Sequence, residues 1–258
     1  MTKAAIIGGT GIYDLGSQIR NQPISTPFGQ VEVTVMTVKD SSKEIVFLAR
    51  HGTEHSTPPH QVNYRANLWA LHHLGVTHVF ATNAVGSLNP KYKPGELVIF
   101  TDFIDFTKNR PSTFYDGAEG VIHTSMADPY CKELRRIIAE QAPRHGITLA
   151  GEAVYVGTEG PRFETAAEIR MYRQLSADVV GMTGIPEVVL AKELGLCYAG
   201  VGIITNWATG IAHDHRLDEI MEAVDRNKAD LTNLFCHIIN TIDLDQNNCH
   251  CNQACMKM

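Results

Sequence analysis

The chain has 258 residues, 44% of them apolar, and a formal net charge of −6, enough for one α/β domain with a buried core. The acidic balance argues against broad attraction to nucleic acid or anionic membrane, although a local basic pocket for one small anion stays open. No run of about 18 apolar residues offers a membrane span, and the N-terminus leads straight into a strand-like segment, so a cytoplasmic protein is expected.

Residues 4–7 form a short apolar run ending in Gly8-Gly9-Thr10-Gly11. Residues 31–38 alternate and residues 45–49 are compactly apolar, so both read as strands. Pro58-Pro59 opens a helical stretch over residues 60–74, with Gly75 as its stop. Residues 79–82 and 97–106 read as strands. Leu134, Ile137 and Ile138 suit a helix, and Thr165 with Glu168 makes a capping-box signature for the next. Pro186 reads as a first-turn proline of a helix that Gly195 ends. Residues 197–205 read as a buried strand and residues 217–242 as a long amphipathic helix. The alternation predicts a three-layer α/β domain over residues 1–243, with a mixed, twisted sheet partly closed into a barrel and flanked by helices. Small ligands in such folds collect at strand ends.

Cys131, Cys197 and Cys236 are scattered and read as small core residues. Cys249, Cys251 and Cys255 crowd the polar tail, residues 244–258. With His250 among them they could bind a metal or form a disulfide, but a frayed, poorly ordered tail is the simpler expectation, and no metal is assigned.

Several short runs offer ligand chemistry, each with a plainer structural reading beside it. Glycines and the Thr10 hydroxyl after the first strand can approach an anion, or form a simple tight turn; neither a dinucleotide fingerprint nor a Walker loop is present. Arg50 can grip phosphate through two parallel hydrogen bonds, with His51 adding a donor, or make a surface ion pair. His55 and His60 lack metal-binding spacing. Thr82-Asn83-Ala84-Val85-Gly86-Ser87 can expose amides and hydroxyls to an anion or ribose in a strand-to-loop bend, or turn on its own bonds. Phe163 can stack a planar base and Glu164 can accept from a ring N–H; equally, Phe163 is core and Glu164 favours a helix start. Thr205-Asn206 presents an amide at a strand end, for a ligand or for local backbone.

Taken in order, Gly-Gly-Thr-Gly, Arg-His-Gly, Thr-Asn-Ala, Gly-Pro-Arg-Phe-Glu, Gly-Met-Thr-Gly-Ile-Pro-Glu and Thr-Asn resemble the trimeric purine nucleoside phosphorylase and methylthioadenosine phosphorylase family over about residues 3–240. The resemblance implies phosphate binding by Thr10, Arg50, His51, Asn83, Ala84 and Thr183. It implies a ribose contact for Met182, base stacking by Phe163, and catalytic base recognition by Asn206 and Glu164. His123 matches a loop that reaches a neighbouring subunit's site in a homotrimer. The only partners it implies are a small purine nucleoside and phosphate, with phosphate as co-substrate and no cofactor.

The adenine-specific branch carries an aspartate pair after the last strand and a serine after the phenylalanine. Here Asn206 and Glu164 stand at those places. An amide can donate to O6 and address N7 while a carboxylate accepts from N1–H, which suits hypoxanthine or guanine. Leu217 falls where inosine-cleaving relatives place a histidine, and an apolar wall suits a 5′-methylthio group. Along with the run Pro58 to Asn67, this resembles the bacterial S-methyl-5′-thioinosine phosphorylases. His213 or His215 could reach the 5′ position instead. The expected activity is phosphorolysis of S-methyl-5′-thioinosine; the alternatives are a general inosine and guanosine phosphorylase, a methylthioadenosine phosphorylase, a nucleosidase or a non-catalytic nucleoside-binding protein.

Overall fold

A computed structural model describes residues 3–8, 16–38, 43–52, 56–212 and 217–258. Eleven strands are described: β1 (Lys3–Gly8), β2 (Gly16–Thr26), β3 (Gly29–Val38), β4 (Glu44–Ala49), β5 (Val76–Ser87), β6 (Leu97–Phe106), β7 (Ile122–Thr124), β8 (Leu149–Thr158), β9 (Val179–Gly181), β10 (Cys197–Trp207) and β11 (Cys255–Lys257). The helices are α1 (Tyr64–His73), α2 (Lys132–Gln141), α3 (Ala166–Gln174), α4 (Gly184–Glu193) and α5 (Leu217–Thr241).

Nine strands form one sheet in the order β10-β6-β8-β9-β5-β1-β4-β3-β2. A further parallel pairing of β10 with β5 closes five of them into a barrel. The expected mixed, partly closed sheet is therefore present. β1, β4, β5 and β10 run parallel, whereas the outer β2–β3 pair is antiparallel. β7 and β11 form a separate ribbon.

Side-chain alternation explains the layers. Ala5 and Ile7 of β1 face a core shared with α1 and α4, where Leu68, Leu71, Val188 and Leu190 are buried. Ala4 and Ile6 face the opposite core, shared with Leu134 and Ile138 of α2 and Leu234, Phe235 and Ile238 of α5. Both faces of the central strands are covered, which is why they read as continuous apolar runs. The barrel interior holds Phe100, Tyr130, Tyr155 and Tyr198, linked ring to ring. Gly202 lets β10 lie against this cluster: a Cβ there would stand 2.7 Å from the Phe100 ring.

Three differences from the sequence pattern have physical causes. β2 is a polar outer strand carrying Pro23, tolerated where one side of the strand has no sheet neighbour. β8 begins Leu-Ala-Gly-Glu, and its burial becomes continuous only toward its end. The Thr82–Ser87 run, expected as a bend, stays in β5 because β10 pairs with it as far as Ser87.

The tail also departs from expectation. Instead of fraying, it buries Leu244, Cys251 and Ala254. Gln246 Nε2 donates to Gly195 O at 2.8 Å, and β11 pairs with β7. The apolar and sulphur side chains of this short stretch give it enough burial to hold its place.

Candidate active site

β4 ends at Ala49, and the next residue turns inward: Arg50 N–H donates to Gly8 O at the end of β1. Arg50 is 4% exposed. Its Nε and Nη2 donate to the two carboxylate oxygens of Glu187 at 2.7 and 2.8 Å, and Nη1 donates to Thr82 O at 2.8 Å. Glu187 is fully buried in the first turn of α4 and also accepts from Tyr198 Oη at 2.6 Å. Burial alone would lower the guanidinium's pKa, but the charge and hydrogen bonds of Glu187 hold it above its ordinary value. Burial, followed by the Glu187 charge, pushes the Tyr198 phenol well up, keeping it a donor.

Arg50 is thus neither a surface ion pair nor a lone cation. Of its five N–H groups, three are engaged and two remain for an oxyanion. Its charge is balanced by Glu187, so directed hydrogen bonds, more than net charge, define what it can hold. Beside it, Asn83 Nδ2 lies 2.9 Å from Thr183 Oγ1. Asn83 is 2% exposed, and its Oδ1 has no partner among the described residues. An amide reversed about its end has the same outline. Reversed, it would accept from Thr183 and turn Nδ2–H toward an anion. Ala84 is the exposed residue in an otherwise buried half of β5, leaving that spot open to a ligand. His51 Nδ1 lies 2.8 Å from Thr57 O; since a carbonyl can only accept, that nitrogen carries the proton.

A second group surrounds the end of β8. Glu164 is 7% exposed, and its Oε1 accepts from Thr158 Oγ1 at 2.6 Å, leaving the other carboxylate oxygen available. The segment before α3 is fixed by the predicted capping box: Glu168 N donates to Thr165 Oγ1 and Thr165 N donates to Glu168. Phe163 is 63% exposed, so it is not core. Met182 packs so closely on Gly160 that a Cβ there would meet its sulphur at 2.6 Å.

Arg110, which belongs to none of the noted motifs, ties these pieces together. It is buried, and its guanidinium donates to Met182 O, Ile185 O and Glu159 O, each at 2.6 Å. Tyr155 Oη accepts from the N–H groups of Thr183 and Gly184, both at 3.1 Å. Glu187, Arg110 and Tyr155 are therefore positioning residues that local reading missed. Glu187 lay within a noticed motif, but nothing in its neighbours announced a partner 137 positions away. For Arg110 the only cue was an arginine before a proline just past a long strand.

Asn206 lies near the end of β10, opposite Gly86 of β5. Its Oδ1 accepts from Thr205 Oγ1 and its Nδ2 donates to Trp207 O, both at 2.8 Å. One N–H and one lone-pair direction remain for a ligand. A Cβ on Gly86 would stand 3.4 Å from Asn206 Nδ2, so the glycine keeps that approach open.

The fold therefore joins Arg50, Asn83 and Thr183 in one network, and Glu164 with Met182 in an adjoining one through Thr158 and Arg110. His123 stands apart, exposed on the β7–β11 ribbon. Thr10, His55, His213 and His215 lie outside the described residues, as does the side chain of Leu217 at the start of α5.

The chain is 49% identical to a probable 6-oxopurine nucleoside phosphorylase of Moorella thermoacetica, over 99% of each chain. It is 47% identical to a probable S-methyl-5′-thioinosine phosphorylase of Methanopyrus kandleri, over 98% of each. A crystal structure of the Schistosoma mansoni methylthioadenosine phosphorylase with adenine superposes with a TM-score of 0.88 at 33% identity, covering 96% of this chain and 94% of that one. Residues 3–240 match the Phosphorylase superfamily. With that match spanning strand-end motifs and barrel alike, the chain belongs to the Phosphorylase superfamily.

Proposed function

We propose that the protein cleaves 6-oxopurine nucleosides by phosphorolysis, with S-methyl-5′-thioinosine as its preferred substrate. Products are hypoxanthine and 5-methylthioribose 1-phosphate. What supports the base assignment is the presence of an amide, Asn206, at the end of β10 and of a buried carboxylate, Glu164, each keeping hydrogen-bonding capacity. Hypoxanthine offers O6 and N1–H to such a couple, whereas adenine offers neither. A mismatched buried group costs about 1–3 kcal/mol. The names of the Moorella and Methanopyrus relatives support the reading.

In this mechanism the C1′–N9 bond stretches first, its electron pair passing to the purine. A phosphate oxygen then bonds to C1′ from the opposite face. Arg50, His51, Asn83, Ala84 and Thr183, with Thr10, hold that phosphate. Asn206 stabilises charge gathering on the departing base, a contact that strengthens toward the transition state. Met182 lies along the ribose and Phe163 covers the base. Positioning of phosphate against C1′ supplies much of the acceleration. Phosphate is the nucleophile, so the reaction calls for no metal or organic cofactor.

In this reading the enzyme works in the cytoplasm as a homotrimer in which His123 reaches a neighbour's sugar. Light scattering tests the trimer, and among the described residues no helix is long and apolar enough to cross a membrane. A general inosine and guanosine phosphorylase is the second reading, favoured by the Moorella relative's name. One substrate panel, run with and without phosphate, decides between them. Turnover of S-methyl-5′-thioinosine above inosine, abolished without phosphate, is expected. Base release without phosphate would overturn phosphorolysis, and equal use of methylthioadenosine would overturn the base assignment.

A further inference from the structure

Four of the six cysteines, two scattered along the chain and two from the tail, converge in space. Sγ atoms of Cys131, Cys197, Cys249 and Cys251 all lie within 4.8 Å of one another. Three are buried and Cys249 is half-buried. They come from three places: the residue preceding α2, the first residue of β10, and the tail. None is joined in a disulfide. Cys197 and Cys249 sulphurs stand 3.3 Å apart, inside ordinary sulphur–sulphur contact.

Four thiolates around Zn2+ at about 2.3 Å define a tetrahedron with edges of about 3.8 Å. The observed separations, 3.3 Å for one pair and none above 4.8 Å, bracket that edge. The surroundings fit an anionic cluster better than four neutral thiols. Lys192 is 6% exposed, makes no ion pair among the described residues, and directs Nζ to Asp128 O at 2.7 Å and Cys251 Sγ at 3.8 Å. A buried ammonium calls for a nearby negative charge, and a zinc tetrathiolate carries two. Gln246 Nε2 adds a donor 3.6 Å from Cys197 Sγ. Cys131 stands at the N-terminal, positive end of α2.

We propose that Cys131, Cys197, Cys249 and Cys251 bind a single structural zinc ion, a site distinct from the proposed active site. Binding displaces four thiol protons to solvent, and the ligands close the coordination sphere, so the ion takes no part in turnover. It clips the tail to the first residue of β10. Beyond Cys251, Ala254 O accepts from Ser125 N at 2.9 Å and β11 pairs with β7, so the clip also braces the ribbon that carries His123.

The test uses the untagged full-length protein, purified under reducing conditions. Elemental analysis is expected to find one zinc per chain. Exchange into Co2+ is expected to give intense visible bands of tetrahedral tetrathiolate cobalt. Cys249→Ser and Cys251→Ser should lose the metal and the bands, while Cys236→Ser and Cys255→Ser keep both. Lys192→Met should weaken metal affinity about 10–100-fold with all four ligands intact. The wild-type cobalt spectrum decides the matter even if a ligand variant fails to fold. No metal uptake with four reactive thiols, or disulfides joining these cysteines under reducing conditions, would overturn the site.

Discussion

The two ends of β10 are built differently. Its last residues meet β5 where Asn206 faces Gly86, beside a network of paired charges and directed hydrogen bonds. Its first residue, Cys197, about 30 Å away at the usual rise per strand residue, lies in a sulphur-lined seam with the tail. The proposed ligand end draws on contiguous runs of sequence, each supplying several groups at once. The seam draws four single residues from three remote places. Parallel strands aim loops and side chains at one end, where ligands gather; the other end is left to hold the chain together.

This contrast can be broken first at its most costly joint. Replacing Glu187 with Ala strands the buried Arg50 charge, and denaturation should show a loss of about 3–5 kcal/mol. Arg50→Ala should destabilise comparably and also raise the KM for phosphate about tenfold or more, a fold-change worth about 1.4 kcal/mol. A phosphate KM unchanged in Arg50→Ala would make this pair a purely structural device, like the seam.

Next in size is the base end. Asn206→Asp should cut kcat/KM for S-methyl-5′-thioinosine about tenfold to a hundredfold, from a mismatch of about 1–3 kcal/mol, and raise use of the adenine analogue. Retained preference would remove Asn206 from base recognition. At the sugar, Leu217→His should raise the inosine to methylthioinosine efficiency ratio about tenfold. A flat ratio would free Leu217 from the site and favour the general phosphorylase.

The smallest effects concern the segment carrying Phe163 and Glu164. Thr165→Ala removes a helix cap and should cost about 1 kcal/mol. Arg162, then the Thr165 N–H, hold the Glu168 carboxyl down at about 2. Its folded pKa lies below the unfolded value of about 4.3. The carboxylate therefore stabilises the fold above that pH, and the contribution is lost as pH falls toward 2. Because the Arg162–Glu168 pair is partly exposed, the effect is small. Melting curves of wild type and Glu168→Gln should differ near neutrality and converge near pH 2.

What the amino-acid order determined by itself was whatever depends on near neighbours. Apolar periodicity gave β3, β4, β6, α1 and α5 nearly whole, and the Thr165–Glu168 spacing gave the cap of α3. Short motifs singled out Arg50, Asn83, Thr183, Glu164 and Asn206 as candidates, because each run carries its own chemistry. Tertiary structure alone decided which groups meet across long separations. It paired Arg50 with Glu187, set Arg110 against three carbonyls, and drew Cys131 and Cys197 to the tail. It also gave order to residues 244–258, whose polar composition predicts fraying until the core lends them apolar surface. Local pattern records propensity, whereas buried charges and thiols acquire their roles from partners that only chain closure supplies.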